Sequence, residues 1–528
     1  MLSIIMSGMA DTTLLSSTQR LVINLSAPSP QPDQDANAQL IHVSDIGAGF
    51  YLAYEQLRNI AEYREHHLLL RGAIGRYLSR YVRLESPEPF AQDLVVELTQ
   101  AGYLANDSIS RGTANQIDNI TTQASQLLFA MRACADELEA TGWVRQFVAM
   151  SIEATLAPDT KTAAIMQFAY EHYLTSVDKS SLAPQAPETI YRVALTCAIQ
   201  RVIFKSDTAT TRYYLLKAAF GEPDPQQAQA IVDLCRLVDD YYQHPLTNKL
   251  ASFINRYGAP MRIVHKLVME TTNAPALLAN RQSTLAKVKL VCTEAYAHNQ
   301  KQISTRIIRS ILFILITKTL IGVSIEIPYD MAVYGHILWQ PLVINILFPP
   351  LYMALLSLSI TAPGNRNTEV ISGYVDRLFY VGPIEPLTYT LRKRRFSPGL
   401  SASFNTVYAF GFMGSLALMV WALYQLGFNV VNGGIFFFFF SAVSFLAWRI
   451  RRTSAELQIL DRNQGLIQAL VDFLSAPFIA IGHWISDRYA RANLVTLILD
   501  LAIELPFKTI IRLARQWLRF LSDKQDEL

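Results

Sequence analysis

Apolar residues recur at three- and four-residue steps through most of the chain between residues 41 and 300. Within 51–82 they include Leu57, Ile60, Leu68, Ile74 and Leu78. This spacing places apolar side chains on one face of an α-helix. Proline-containing breaks, such as those at 86–89 and 221–225, separate further segments of the same kind. The pattern predicts an all-α protein with a helical domain at 41–300, preceded by a flexible segment at 1–40.

Long apolar runs appear only downstream of Arg306. Four of them approach the length that a helix needs to cross a hydrocarbon layer of about 30 Å, at about 1.5 Å per residue. The fourth run is long enough only if it begins near Val430. The five phenylalanines at 436–440 are predicted to face lipid. The predicted transmembrane region is 301–452, with spans at about 307–327, 337–360, 404–428 and 430–448.

The connections between the predicted spans differ in charge. Ten lysine and arginine residues follow the second and fourth spans, whereas the connections at 328–336 and 429–433 contain none. Basic residues concentrate in cytoplasmic loops, so both chain termini and the helical domain are predicted to be cytoplasmic. The ten residues are Arg366, Arg377, Arg392, Lys393, Arg394, Arg395, Arg449, Arg451, Arg452 and Arg462.

Two further apolar segments, at 466–485 and 494–521, carry charged residues. In the second segment the charges recur about every four residues, which leaves one narrow polar stripe on a broad apolar helix. The region 453–528 is therefore predicted to form amphipathic helices at the membrane interface. Packing of these helices against protein, or two additional membrane spans, are the alternatives.

The composition agrees with a mixed membrane protein. Of the 528 residues 51% are hydrophobic, the mean hydropathy is +0.20 and the formal charge is +3. That charge is too small to favour nucleic acid as a partner. Four widely spaced cysteines without a CxxC pair indicate a reducing compartment. Since eukaryotic targeting signals were not recognised, a bacterial plasma membrane is the predicted location.

Lys318 lies near the middle of the first predicted span. Such a lysine costs about 2.5 to 3.5 kcal/mol at a helix centre, so it should face protein or a wet cavity. The candidate polar site comprises Lys318, Thr319, Glu326, His336 and Asn345. Glu326 is predicted to lie about 12 Å further along the helix axis, too far for direct contact with Lys318. The candidate counter-charges come from the tail and are Asp472, Asp500 and Glu504.

Catalytic signatures do not stand out in the sequence. It contains no HExxH, no G-x-S-x-G and no Walker lysine loop, so no catalytic residue, cofactor or metal site is predicted. The favoured function is a membrane-anchored interaction or assembly platform. Its predicted partners are the lipid bilayer and a protein bound to the cytoplasmic domain, and a homo-oligomer is a candidate assembly. A transporter or channel component is the first alternative, using the polar stripe that Lys318, Thr319 and Glu326 form on one side of the first predicted span, and a membrane-bound enzyme is the second.

Overall fold

Helices provide the regular secondary structure in the computed structural model. It describes residues 15–27, 39–43, 49, 51–52, 55–56, 69–80, 90–182, 184–357, 363–382, 398–459 and 466–492. Within these ranges there is no β-strand, and a single isolated bridge pairs Leu40 with Ser110. The all-α prediction is therefore confirmed.

The helices in the first half of the described chain are α1 (Ser16–Ser26), α2 (Leu69–Arg80), α3 (Phe90–Gln100), α4 (Arg111–Met131), α5 (Glu137–Leu156), α6 (Thr160–Ser176), α7 (Lys179–Leu182), α8 (Glu188–Val202), α9 (Thr208–Phe220), α10 (Ala228–Tyr242) and α11 (Pro245–Tyr257). The helix α1 lies inside the segment that the sequence pattern left without regular structure, and its Leu21 is buried. The later helices are α12 (Ala259–Glu270), α13 (Ala274–Ala279), α14 (Arg281–Ile321), α15 (Ile327–Tyr334), α16 (Trp339–Ser357), α17 (Asn365–Asp376), α18 (Pro398–Gln425), α19 (Val430–Ala455) and α20 (Leu466–Ala492).

The chain divides into two units. The first, here called the globular unit, comprises Arg20–Leu174, Gln185–Ser252 and Asn493–Leu528. The second, the apolar-helix unit, comprises Met1–Gln19, Thr175–Pro184 and Phe253–Ala492. The last part of the globular unit, 493–528, lies outside the described residues, and so does the predicted tail segment at 494–521.

The core of the globular unit forms where the apolar faces of its helices meet. Buried side chains from α2, α3, α4, α5 and α10 pack into one cluster, represented by Ile74, Leu94, Ile117, Ile152 and Val232. At three helix starts, a side-chain oxygen accepts a hydrogen bond from a backbone N–H group that has no partner within the helix. These residues are Ser110 before α4, Asp136 before α5 and Asp207 before α9. The amphipathic pattern of the sequence thus becomes a conventional helical core.

A buried arginine joins three helices of this unit. The Arg71 guanidinium on α2 donates to Asp207 Oδ2 at 2.6 Å, to the Met150 sulfur at 2.9 Å and to the Thr210 hydroxyl. Glu153 lies nearby on α5. Burial raises the pKa of the Glu153 carboxyl to about 7, and the nearby Arg71 charge only partly opposes this effect. Glu153 therefore holds its proton more tightly in the folded protein than in the unfolded chain.

This shift predicts a pH-dependent gain from Glu153→Gln. Because the folded protein binds the Glu153 proton more tightly than the unfolded chain, protonation of Glu153 stabilises the fold. This contribution is complete below the unfolded pKa of about 4.5 and is lost as the pH rises through the folded pKa of about 7. Glutamine carries no charge, so the variant should protect the backbone amides of α5 better than the wild type at pH 8 and equally at pH 4. Hydrogen exchange with mass spectrometry on peptides from Glu137–Leu156 measures this difference. Asp240→Asn, at an exposed site on α10, is the control. Equal protection of wild type and Glu153→Gln at pH 8 would contradict the assignment.

Among the described residues of the apolar-helix unit, three helices are long and apolar enough to cross a membrane. The first is the continuous helical stretch Arg281–Tyr334, and the others are Trp339–Ser357 and Val430–Arg452. The predicted span at 404–428 falls largely on α18, in which Ala409–Gln425 forms a shorter apolar helix. Three of the described helices could therefore cross a membrane by length and composition, and the predicted fourth span at 404–428 stays a prediction.

One end of the apolar-helix unit is built around the polar half of α14. Arg281 donates two hydrogen bonds to the Asp376 carboxylate, at 2.7 and 2.8 Å. Asn367 donates to the Tyr296 hydroxyl at 2.7 Å and to the Leu457 carbonyl at 2.8 Å. The start of α14, the helix α17 and the segment that follows α19 therefore meet at this end.

The helix α20 packs against two other apolar helices. A Cβ atom at Gly482 would overlap the Ser441 carbonyl oxygen and come within 2.6 Å of Phe445 Cβ. The ring of Phe478 lies 4.6 Å from that of Phe440, and the Phe473 ring lies directly over Gly411 of α18. The contacts of Gly482 and Phe478 fall in the middle of the apolar stretch Val430–Arg452.

The phenylalanine run at 436–440 has two faces. Phe436 and Phe440 are buried and pack with Leu423 and Phe478, whereas Phe438 is exposed. The expectation that the whole run faces lipid is therefore wrong. In a helix, residues four apart share a face, and here that face is covered by neighbouring helices.

Candidate functional site

Lys318 is fully buried on α14, with 0% of its surface exposed. Its ammonium group donates to Asn345 Oδ1 of α16 at 2.8 Å and lies 3.5 Å from Glu326 Oε1. The Asn345 amide in turn donates to Glu326 Oε2 at 2.8 Å. The three side chains form a closed triangle in which each contacts the other two.

The contact between Lys318 and Glu326 corrects the expectation that they lie too far apart. In a regular α-helix, residues eight apart differ by about 80° in direction. Here the stretch Gly322–Glu326 is a π-helical turn between α14 and α15. The wider π-turn rotates Glu326 back towards the face of Lys318, and the two long side chains bridge the distance along the axis.

The helix α19 closes the site on its remaining side. The Asn345 amide also donates to the Asn432 main-chain carbonyl at 3.1 Å. The Lys318 nitrogen lies 4.6 Å from the centre of the Phe439 ring, a favourable distance for a cation and an aromatic face. Neither Asn432 nor Phe439 was identified from the sequence, because nothing in the apolar pattern shows which face of α19 meets α14.

Asp330 extends the network by one helical turn beyond Glu326. It is fully buried and accepts hydrogen bonds from Leu338 N at 3.2 Å and from the amides of Asn429 and Asn432 at 3.1 and 3.4 Å. Asp330 was not among the residues predicted from the sequence, although its spacing of four from Glu326 places both carboxylates on one helix face. We call Lys318, Glu326, Asp330, Asn345 and Asn432 the polar network.

The other predicted site residues do not join the polar network. Thr319 is exposed, and its hydroxyl donates to the Leu315 carbonyl of its own helix at 2.8 Å. His336 is exposed, and its ring nitrogen lies 2.9 Å from the Tyr334 carbonyl. Asp472 falls on α20, but its side chain is outside the described part of the structure. Asp500 and Glu504 also lie outside the described residues.

The chemistry available at the polar network is that of fixed charges and oxygen ligands. Across the described ranges, no group of three or more His, Cys, Asp or Glu side chains could hold a metal ion. A buried ion pair adds little net stability, because desolvation of both charges offsets their attraction. Its clearest physical effect is on specificity: only one arrangement of α14, α15, α16 and α19 satisfies all of these polar groups.

The comparisons with known proteins give no relatives. No protein-family model matches the chain, and neither a curated protein nor a solved structure matches it. The function is therefore argued from the site and the fold alone.

Proposed function

We propose that this chain is a multi-pass membrane protein with four crossings, at about 307–327, 337–360, 404–428 and 430–448. The connections that follow the second and fourth crossings meet at the polar end of α14, through Asn367 and Leu457. The other two connections meet around Asp330, through Leu338 and Asn429. A chain that crosses a membrane four times places successive connections on opposite sides, and the observed pairs of connections agree with this rule. The end that carries the arginines is then cytoplasmic.

Within this topology we propose that the protein acts as a membrane-anchored interaction or assembly platform in a bacterial plasma membrane. The observation that carries this proposal is the continuity of α14. It runs for 41 residues from a polar half tied to α17 into an apolar half tied to the polar network. An unbroken helix anchored at both ends holds the polar end of the apolar-helix unit at a fixed position relative to the bilayer.

The globular unit offers a surface on which a protein partner can bind. Phe129 and Leu138, at the two sides of the α4–α5 turn, are 81% and 84% exposed. They are the most exposed large apolar side chains among the described residues of this unit. Exposed aromatic and aliphatic side chains can anchor a protein interface.

The topology predicts which introduced cysteines react from outside intact cells. A membrane-impermeant maleimide should label His336→Cys, in the connection after the first crossing. It should label Arg366→Cys, on α17, only after the membrane is permeabilised. Both positions are exposed on the folded chain, so a difference in labelling reports the side of the membrane. Labelling of Arg366→Cys in intact cells would overturn the proposed topology.

The platform proposal predicts that a defined complex depends on Phe129 and Leu138. The double variant Phe129→Ser/Leu138→Ser should keep the helical content and thermal midpoint of the wild type, because exposed side chains add little to the core. Native mass spectrometry of the protein released from its own membranes should then show loss of the larger complex. Val430→Ser, at an exposed apolar position outside the globular unit, is the matched control. A complex that survives the double variant would reject this surface, and the absence of any complex would reject the platform.

A second candidate function is transport of an ion or small solute. It is favoured by the Lys318–Glu326 pair beside a π-helical turn, and by Pro349 and Pro350 inside α16, which leave backbone carbonyls without their usual partners. In proteoliposomes, Lys318→Met should abolish flux while the protein still inserts. Unchanged flux in this variant would reject transport through the polar network.

A further inference from the structure

The polar network contains one more negative charge than positive charge. Lys318 supplies one cation, whereas Glu326 and Asp330 supply two carboxylates, and all three side chains are fully buried. The helices α16 and α18 contain no charged residue, and the arginines of α19 begin at Arg449, about 25 Å along that helix from Asn432. A buried charge without a counter-charge is costly, so binding of one further positive charge at this site would be favourable.

The excess charge falls on Asp330. Lys318 is paired with Glu326, at 3.5 Å. The Asp330 carboxylate is held only by neutral donors, the Leu338 N–H and the amides of Asn429 and Asn432. In the described part of the chain it forms no ion pair. Asp330 is therefore the place where an additional cation would be bound.

The Asn432 amide group, whose nitrogen faces this carboxylate, carries an unpartnered oxygen. The Asn432 side chain is 0% exposed, and its amide nitrogen faces Asp330 Oδ1 at 3.4 Å. Its Oδ1 atom is buried and has no hydrogen-bond partner among the described residues. A buried amide oxygen without a donor is unfavourable, and it becomes favourable when it binds a cation.

Asn429 is the solvent-contacting residue nearest the site in the turn after α18. This residue is partly exposed in the turn between α18 and α19, and its side-chain amide donates a hydrogen bond to Asp330 Oδ1. Its side chain therefore contacts both the buried carboxylate and solvent.

We propose that Asp330 and Asn432 form a binding site for a single monovalent metal cation of the sodium class. Carboxylate and amide oxygens are hard ligands, which suit Na⁺ and do not suit soft transition metals. The excess of one negative charge selects a monovalent ion over a divalent one. This site is additional to the platform function and does not depend on it.

The test measures the thermal unfolding midpoint of the full-length protein in detergent micelles. Sodium chloride is compared with choline chloride at equal ionic strength and pH 8. Sodium should raise the midpoint of the wild type in a saturable manner, because a ligand that binds only the folded state stabilises it. Asp330→Asn should lose the sodium response, and its midpoint in choline should equal or exceed that of the wild type in choline.

Two further measurements test the sodium site. Lys318→Met leaves two excess negative charges, so its sodium response should be larger than that of the wild type. If a variant fails to fold, binding of radioactive sodium to the wild type, displaced by unlabelled sodium and not by choline, tests the site directly. Equal midpoints of the wild type in sodium and choline, or a sodium response retained by Asp330→Asn, would overturn the proposal. A midpoint that rises only when the pH falls would assign the balancing charge to a proton and would also overturn it.

Discussion

Replacing Lys318 by methionine is expected to lower the free energy of unfolding by about 3–5 kcal/mol, because the change leaves a buried carboxylate without its partner. Methionine keeps the length and the apolar stem of lysine, so the loss reports the charge and its hydrogen bond to Asn345. Reversible unfolding in mixed detergent micelles at low sodium measures the effect. Lys301→Met, at an exposed position of the same helix, should change the free energy by less than about 0.5 kcal/mol.

The double variant Lys318→Met/Glu326→Met should recover at least half of that loss. Removing both charges also removes the desolvation cost of the pair, and apolar replacements of buried ion pairs are often neutral or stabilising. If the double variant is less stable than Lys318→Met alone, the hydrogen bond from Asn345 outweighs the cost of the uncompensated Glu326 charge, and the expected recovery is wrong.

Replacing Gly482 by alanine is expected to destabilise the contact between α19 and α20 by about 1–3 kcal/mol. The added methyl group would overlap the backbone carbonyl of Ser441, which cannot move by a side-chain rotation. At Gly411 the obstacle is the ring of Phe473, which can rotate, so Gly411→Ala should cost less. Unfolding followed by the fluorescence of Trp484, on α20, reports this contact, with the other tryptophans replaced by phenylalanine.

The matched control is Gly434→Ala on α19. A Cβ atom at this position meets nothing within 4 Å, so the substitution carries no steric cost. Alanine in place of a helical glycine should then stabilise the protein by about 0.5–1 kcal/mol. Equal effects of Gly482→Ala and Gly434→Ala would show that α20 does not pack closely against α19 in the protein.

The sequence was sufficient to predict the fold class and the position of the central lysine. Apolar residues at three- and four-residue spacing specify helices whatever their partners are, so the prediction at 41–300 did not depend on tertiary structure. The burial of Lys318 against protein followed from the cost of a charge in lipid, and the structure shows 0% exposure.

The partners of Lys318 could not be predicted in the same way. The contact with Glu326 depends on the π-turn at Gly322–Glu326, and a single sequence carries no clear signal for such a turn. Asn432 joins the network because one particular face of α19 meets α14, and the apolar composition of α19 is nearly uniform around the helix. The same uniformity explains the incorrect prediction for the phenylalanines at 436–440.

The segment 466–485 shows a further limit of sequence patterns. Its charged and polar residues indicated a helix at the membrane surface. Packing against protein was the alternative, and α20 carries Gly482 and Phe478, which fit closely against α19 and Phe440. Small residues permit such close approach between helices, but a glycine that packs cannot be distinguished by sequence alone from one that does not.

The helix α14 contains neither proline nor glycine between Arg281 and Ile321, so it has no natural point of bending. It is about 60 Å long. A straight helix of this kind transmits rotation about its axis. If the Arg281–Asp376 pair were rotated about that axis, Lys318 would rotate in the same direction. The π-helical turn at Gly322–Glu326 is the first element that could absorb the rotation. A rotation imposed at the Arg281 end of α14 is therefore expected to change the position of the Lys318 ammonium group at the other end.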